Sequence, residues 1–144
     1  MNDDKFTAYL EQFVTEHRKD LFQKVLNERT RHFTVAIEDI FQPHNSGAVI
    51  RSCDVFGIQD IHVIESNYQF YASTQVAKGA QKWIDFHEYN SQENNTEKCI
   101  SSLRKQGYQI IATTPHNDSC LLQDFDVHKK SAFAGKALIP PRGC

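Results

Sequence analysis

A chain of 144 residues, 40% of them hydrophobic, can bury one modest core, so one main domain is expected. Its formal net charge of −2 excludes a protein that coats nucleic acid by bulk charge and leaves room for a local basic patch. Cys53, Cys99, Cys120 and Cys144 form no Cys-x-x-Cys pair and the histidines show no ligand spacing, so neither a disulfide framework nor a metal site is expected.

No apolar run reaches membrane-spanning length, and the opening Met1-Asn2-Asp3-Asp4 is acidic, unlike a signal peptide, which predicts a soluble, cytoplasmic chain. Over residues 5–27 the apolar side chains recur at helical steps (Phe6, Tyr9, Leu10, Phe13, Val14, Leu21, Phe22, Val25, Leu26). The polar run His17-Arg18-Lys19-Asp20 predicts a break into two helices. Arg29-Thr30-Arg31-His32 follows, either a helix end favouring cations through its dipole or a set of arginines that grip phosphate.

Residues 34–37 and 61–64 are apolar and rich in β-branched side chains, as suits buried strands. Between them lie the loop Pro43-His44-Asn45 and a run at helical spacing over residues 47–56. Strand, loop, helix, strand predicts a βαβ unit with parallel strands and a right-handed crossover. Asn45 stands at the predicted N-cap, and Arg51 lies about a turn and a half further on, near the face of Asn45 and Ala48. A polar pair at the C-terminal edge of a parallel sheet is where open α/β folds bind ligands. Spacing alone leaves it equally readable as an ordinary cap and a solvated arginine.

The loop over residues 66–73 carries Tyr68, Phe70 and Tyr71, which either stack on bases or close the edge of the core; the second reading is preferred. Ser73 or Thr74 is expected to cap a short helix running to Lys78 and ended by Gly79. Trp83 is expected to pack, and Lys82 is either a surface lysine or a phosphate ligand. Thr96 is expected to cap a helix with Cys99, Ile100 and Leu103 inward and Gly107 as its stop. Residues 108–112 read as a strand that runs into Thr113-Thr114-Pro115.

The stretch His44-Asn45-Ser46-Gly47-Ala48-Val49-Ile50-Arg51-Ser52-Cys53-Asp54 resembles the first signature motif of the SpoU/TrmH branch of the SPOUT RNA methyltransferases. Gly79-Ala80-Gln81-Lys82-Trp83 resembles that branch's Gly-x-x-Lys-Trp segment, and the likeness runs over roughly residues 29–125. The resemblance implies an α/β fold of the knotted SPOUT type: a parallel sheet with flanking helices and an N-terminal helical extension. It implies transfer of a methyl group from S-adenosylmethionine to a ribose 2′-hydroxyl of RNA, with tRNA the expected substrate. Arg51 would be the catalytic residue, with Asn45 ordering the ribose or the cofactor loop. Arg29, Arg31, Arg51 and Lys82 would contact RNA, and Thr113 and Thr114 would contact the cofactor, chiefly through backbone groups.

After Ser131-Ala132-Phe133 the family pattern calls for a Phe-Gly-x-Glu-x-x-Gly loop and the segments that make the trefoil knot. Here the chain reads Ala134-Gly135-Lys136 and then Ala137-Leu138-Ile139-Pro140-Pro141-Arg142-Gly143-Cys144. A premature end before the knot is therefore expected, with residues 1–30 as an RNA-binding extension, 31–133 as a partial methyltransferase domain and 134–144 as an atypical tail. The family's homodimer is put in doubt by the same departure. A remnant that binds RNA without transferring methyl groups is the alternative reading.

Overall fold

Strand β1 (Phe33–Glu38) lies at the centre of a five-stranded parallel sheet in the computed structural model, which describes residues 3–91, 93–112 and 122–136. Its companions are β2 (Asp60–Ile64), β3 (Asp85–Tyr89), β4 (Gln109–Ala112) and β5 (Ser131–Lys136), in the order β3-β2-β1-β5-β4. Helices α1 (Asp3–Glu11) and α2 (Glu16–Asn27) precede the sheet. Helix α3 (Pro43–Val55) joins β1 to β2, the short α4 (Thr74–Ala77) follows β2, and α5 (Asn95–Lys105) joins β3 to β4. The predicted βαβ unit is present, with Val35 opposite Ile61 and Ile37 opposite Val63.

Successive strand side chains point to opposite faces, so β1 serves two cores. On one face Ile37, Ile61 and Val63 pack with Ile50 and Cys53 of α3 and Ala77 of α4. On the other, Ala36, Ile64 and Ala132 pack with Cys99 and Leu103 of α5. Helices on both faces explain why β2 is buried along its whole length. The chain steps outward through β1, β2 and β3, crosses to the far edge for β4, and returns to set β5 beside β1. The order therefore reverses between β1 and β5, the position at which such sheets leave a crevice outside their carboxyl ends.

Several boundaries differ from the sequence reading. Helix α3 begins at Pro43, with Gln42 as N-cap, so Pro43-His44-Asn45 is its first turn and not a loop. Proline suits that first position because its fixed φ is helical and its missing N–H would have no helical acceptor. The break in the N-terminal extension falls at residues 12–15, while His17-Arg18-Lys19-Asp20 lies inside α2; an exposed helix tolerates polar residues, and Lys19 pairs with Glu16 at 2.8 Å. Helix α5 is capped by Asn94, and Thr96 sits within it, donating to Glu38 Oε1 at 3.0 Å. Trp83 does not pack inward: it is 58% exposed.

Strand β5 runs on through Gly135 to Lys136, past the boundary drawn at Phe133, and pairs with β1 along its whole length. Residues 137–144, and with them the expected departure from the knot, lie outside the described residues. Among the described residues no helix is long and apolar enough to cross a membrane.

Candidate functional site

The C-terminal edge of the sheet is shaped by residues on either side of the β1–α3 connection. Directly after β1, Asp39 takes a left-handed backbone conformation, φ 50°, and is buried. Its Oδ1 accepts the backbone N–H groups of Ser66, Asn67 and Tyr68 at 2.9, 2.8 and 3.3 Å, and its Oδ2 accepts the Asn67 amide at 2.6 Å. Burial pushes this carboxyl up, but the donors from Asn67, Ser66 and Tyr68 outweigh it and hold the group below the ordinary carboxylate range. The loop over residues 66–73 is thereby fastened to the end of β1.

The same loop is fastened to α3. Ser73 N–H donates to Pro43 O at 3.1 Å, and the buried Ser46 Oγ lies 2.8 Å from Pro43 O and 2.5 Å from Tyr71 O. Gly47 lets the two segments close: a Cβ there would stand 2.9 Å from Val76 Cβ and 3.0 Å from Ser73 O. Phe70 and Ala72 turn into the core, while Tyr68 and Tyr71 stay outside. The preference for core closure thus holds for Phe70 alone among the three loop aromatics.

Helix α3 starts on this clamped edge with Asn45 in its first turn and runs back along the sheet to Arg51; both residues are exposed. Asn45 is not the cap: its backbone N–H donates to Gln42 O at 3.0 Å, and its side chain makes no hydrogen bond with a described residue. Arg51 makes no ion pair with a described residue. Six helix positions and about 9 Å of rise separate the two, and the helical rotation sets their side chains about 120° apart around the axis.

The other cations stand differently. Arg29 is only 10% exposed in its side chain and bonds Asp54 Oδ1 at 2.5 Å, which ties the end of α2 to the end of α3. Arg31 joins Asp60 and Asp85, the latter at 2.6 Å, while staying 57% exposed. Lys82, on the turn after α4, is exposed and forms no ion pair with a described residue. Thr113 and Thr114 lie outside the described residues. Among the described residues no group of three or more His, Cys, Asp or Glu is arranged to hold a metal.

The model of the SpoU rRNA Methylase family matches residues 32–134, more than half of the chain. The chain belongs to this family. Among curated SpoU-type relatives, the tRNA (guanosine(18)-2'-O)-methyltransferase of Borreliella burgdorferi is 35% identical over 135 residues, covering 92% of this chain and 60% of the relative. The enzyme of the same description from Thermus thermophilus is 25% identical, with 82% and 59% covered. The chain thus spans about 60% of the length of these relatives. A solved A. aeolicus TrmH/SpoU tRNA modifying enzyme shares the fold at a TM-score of 0.71 and 22% identity, over 85% of this chain and 61% of that one. The SpoU methyltransferase AviRb from Streptomyces viridochromogenes, solved in complex with AdoMet, shares it at 0.60 and 21%, over 76% and 45%.

Beside the SpoU-family motif the sequence reading missed Asp39 and Phe41. Asp39 was passed over because its partners lie 27 to 29 residues away. Phe41 was passed over because a single aromatic before a proline carries no pattern. A hollow of about 200 Å³ opens between α5 and the sheet at the β1–β5 reversal, bounded by Glu38, Thr96, Ala112, Ala134 and Gly135.

Proposed function

We propose that this SpoU-family chain serves methyl transfer from S-adenosylmethionine to a ribose 2′-hydroxyl of tRNA, the reaction type named for its curated relatives. One observation carries the reading: Asn45 and Arg51 stand exposed, without described side-chain partners, on the helix that starts at the C-terminal edge of a parallel sheet and inside the matched region.

Arginine stays protonated in proteins, so Arg51 is a poor base. Its role is to hold the phosphate of the target nucleotide and stabilise the alkoxide that develops on the 2′-oxygen, while the proton leaves to a phosphate oxygen or water. Asn45, able to donate and accept, orders the ribose. Holding the nucleophile near attack geometry supplies much of the rate. Lys82 and Arg31, at the opposite end of the sheet just before β3 and β1, would give RNA a second contact area, with Arg31 shared between Asp60 and Asp85, and Arg29 supports the scaffold by anchoring α2.

S-adenosylmethionine, when bound, supplies the methyl group as an electrophile. The small residues Ala112, Ala134 and Gly135 around the hollow suit close approach of a ligand to strand ends. At about 200 Å³ the hollow is below the roughly 300–1,000 Å³ of whole ligand sites, so these residues would make one wall of the seat, with Thr113 and Thr114 assigned to the rest. Work on tRNA in the cytoplasm, and the homodimer implied by the resemblance, belong to the same proposal; sedimentation reads the latter.

The test is transfer of labelled methyl groups to tRNA. The native chain should incorporate label, and Arg51→Ala should lose activity on the order of 10²–10³-fold, as expected for removing a transition-state charge partner. Because Arg51 is exposed, the variant's thermal midpoint should stay unchanged. Retained tRNA binding with no incorporation would instead leave an RNA-binding chain without transfer.

A further inference from the structure

Two exposed aromatics stand at the same clamped edge and have no part in the chemistry above. Phe41 is 59% exposed and Tyr68 40%, and their rings meet edge to face with centroids 5.2 Å apart. A core residue would hide such surface; here both rings turn outward, and an edge-to-face pair leaves ring faces free to take a third ring. Both residues are tied to the clamp, Tyr68 by a hydrogen bond and Phe41 by its place in the chain. Phe41 lies two residues after Asp39 and two before Pro43 of α3, and Tyr68 N–H is one of the donors to the buried Asp39 carboxylate. Rigid aromatic surface beside a polar, cationic site is the arrangement that stacks unpaired bases, and stacking is indifferent to base identity because every base has a π-face.

We propose that Phe41 and Tyr68 form a seat for an unpaired RNA base next to the Asn45–Arg51 pair. The inference rests on the RNA-directed reading of that pair. Pro43 to Arg51 spans about 12 Å of helix, so a base on the aromatic pair and a phosphate on Arg51 belong to one short single-stranded stretch. The seat draws the target nucleotide out of its stack and thereby presents its ribose to Asn45.

The experiment compares two labelled probes by fluorescence anisotropy: a short oligouridylate, and a chain of the same length built from 1′-deoxy abasic riboses. The native protein should bind the base-bearing probe about 10-fold more tightly, the scale of one stacked base. Phe41→Ala with Tyr68→Ala should bring the two probes to equal affinity without weakening the abasic one. Its salt dependence, which counts phosphate contacts, should not move. Phe41→Leu, which keeps apolar bulk but no π-face, should lose the preference, and Phe41→Trp should keep it. An unchanged preference in the double variant overturns the seat while leaving the RNA reading standing. A change in oligomeric state with no change in base preference also overturns it and makes the pair a contact between copies of the chain. Failure of the native protein to bind either probe overturns the RNA reading and the seat together.

Discussion

Asp39 combines two unfavourable conditions: a left-handed backbone on a non-glycine residue, costing on the order of 1–3 kcal/mol, and a buried carboxylate, which costs more than that when uncompensated. Three backbone N–H groups and one side-chain amide offset both. Replacing it by Asn leaves one acceptor oxygen where there were two and puts an amide donor against N–H groups. Asp39→Asn should therefore cost about 1–3 kcal/mol in denaturant unfolding. The carboxyl is lowered in the folded state, so its contribution is complete above the ordinary carboxylate value of about 4 and is lost as pH falls through the folded value. Native and Asp39→Asn proteins should consequently converge in stability at strongly acid pH, which a pH series of unfolding curves would check.

Gly47 sets up a contest of signs. Alanine in a helix interior gains about 1 kcal/mol over glycine, whereas the added Cβ meets Val76 and the Ser73 carbonyl at distances that force something to shift, at about 1–3 kcal/mol. Backbone gives less readily than a side-chain end, so Gly47→Ala should lower the thermal midpoint and, by loosening the clamped edge, slow the methyl transfer proposed above. The helix that carries Asn45 and Arg51 was legible as a local periodic pattern, whereas spacing alone left the pair readable as a cap and a solvated arginine. The clamp that makes their edge rigid was not, since it joins residues that only the fold brings together.

At the scale of elements, legibility followed burial. Strands β1 and β2 sit between two helical layers and read as apolar runs. Strand β3, DFHEY at the sheet edge, carries a charged or imidazole side chain at three of five positions and offered no apolar run to read. Strand β5 hides its interior place behind small residues: Ala132 and Ala134 fill little volume yet pair with both β1 and β4, and Gly135 pairs with β1. Helices α1 and α2 show the reverse: their apolar periodicity was plain, but Phe6, Tyr9, Phe13, Leu21 and Leu26 remain exposed. Nine and twelve residues are marginal lengths for a helix without packing. What fixes α2 is its end, where Arg29 meets Asp54, Thr30 N–H donates to Gly57 O at 2.8 Å, and Gln59 N–H donates to Thr30 O at 3.0 Å. Arg29→Ala should speed amide exchange across α2 while leaving β1 and β5 as slow as before, because breaking a largely buried ion pair frees only the element it holds. Equal acceleration throughout the sheet would contradict a local tether.

For the molecule as a whole, the acid limit of stability is set beside the other edge of the sheet. His62 is buried on β2, its ring stacked on His87 at 4.6 Å and its Nδ1 sharing a hydrogen bond with Tyr89 OH at 3.1 Å. Burial, aided by the neighbouring His87 and opposed by Asp60, pushes its pKa down to about 4. An unfolded histidine titrates near 6.5, so between about pH 6.5 and 4 the unfolded chain binds a proton that the folded chain refuses. Stability therefore falls as pH drops through that window, by on the order of 3 kcal/mol in total, and it does so before the Asp39 clamp begins to protonate. His62→Gln keeps a polar group for Tyr89 but has no proton to take up. The variant should start less stable at neutral pH, since the ring's packing is lost, yet show a shallower decline from pH 6.5 to 4 than the native protein. Parallel curves for the two proteins would move the acid sensitivity away from His62, leaving the Arg31–Asp60–His87 cluster beside it as the group to substitute next.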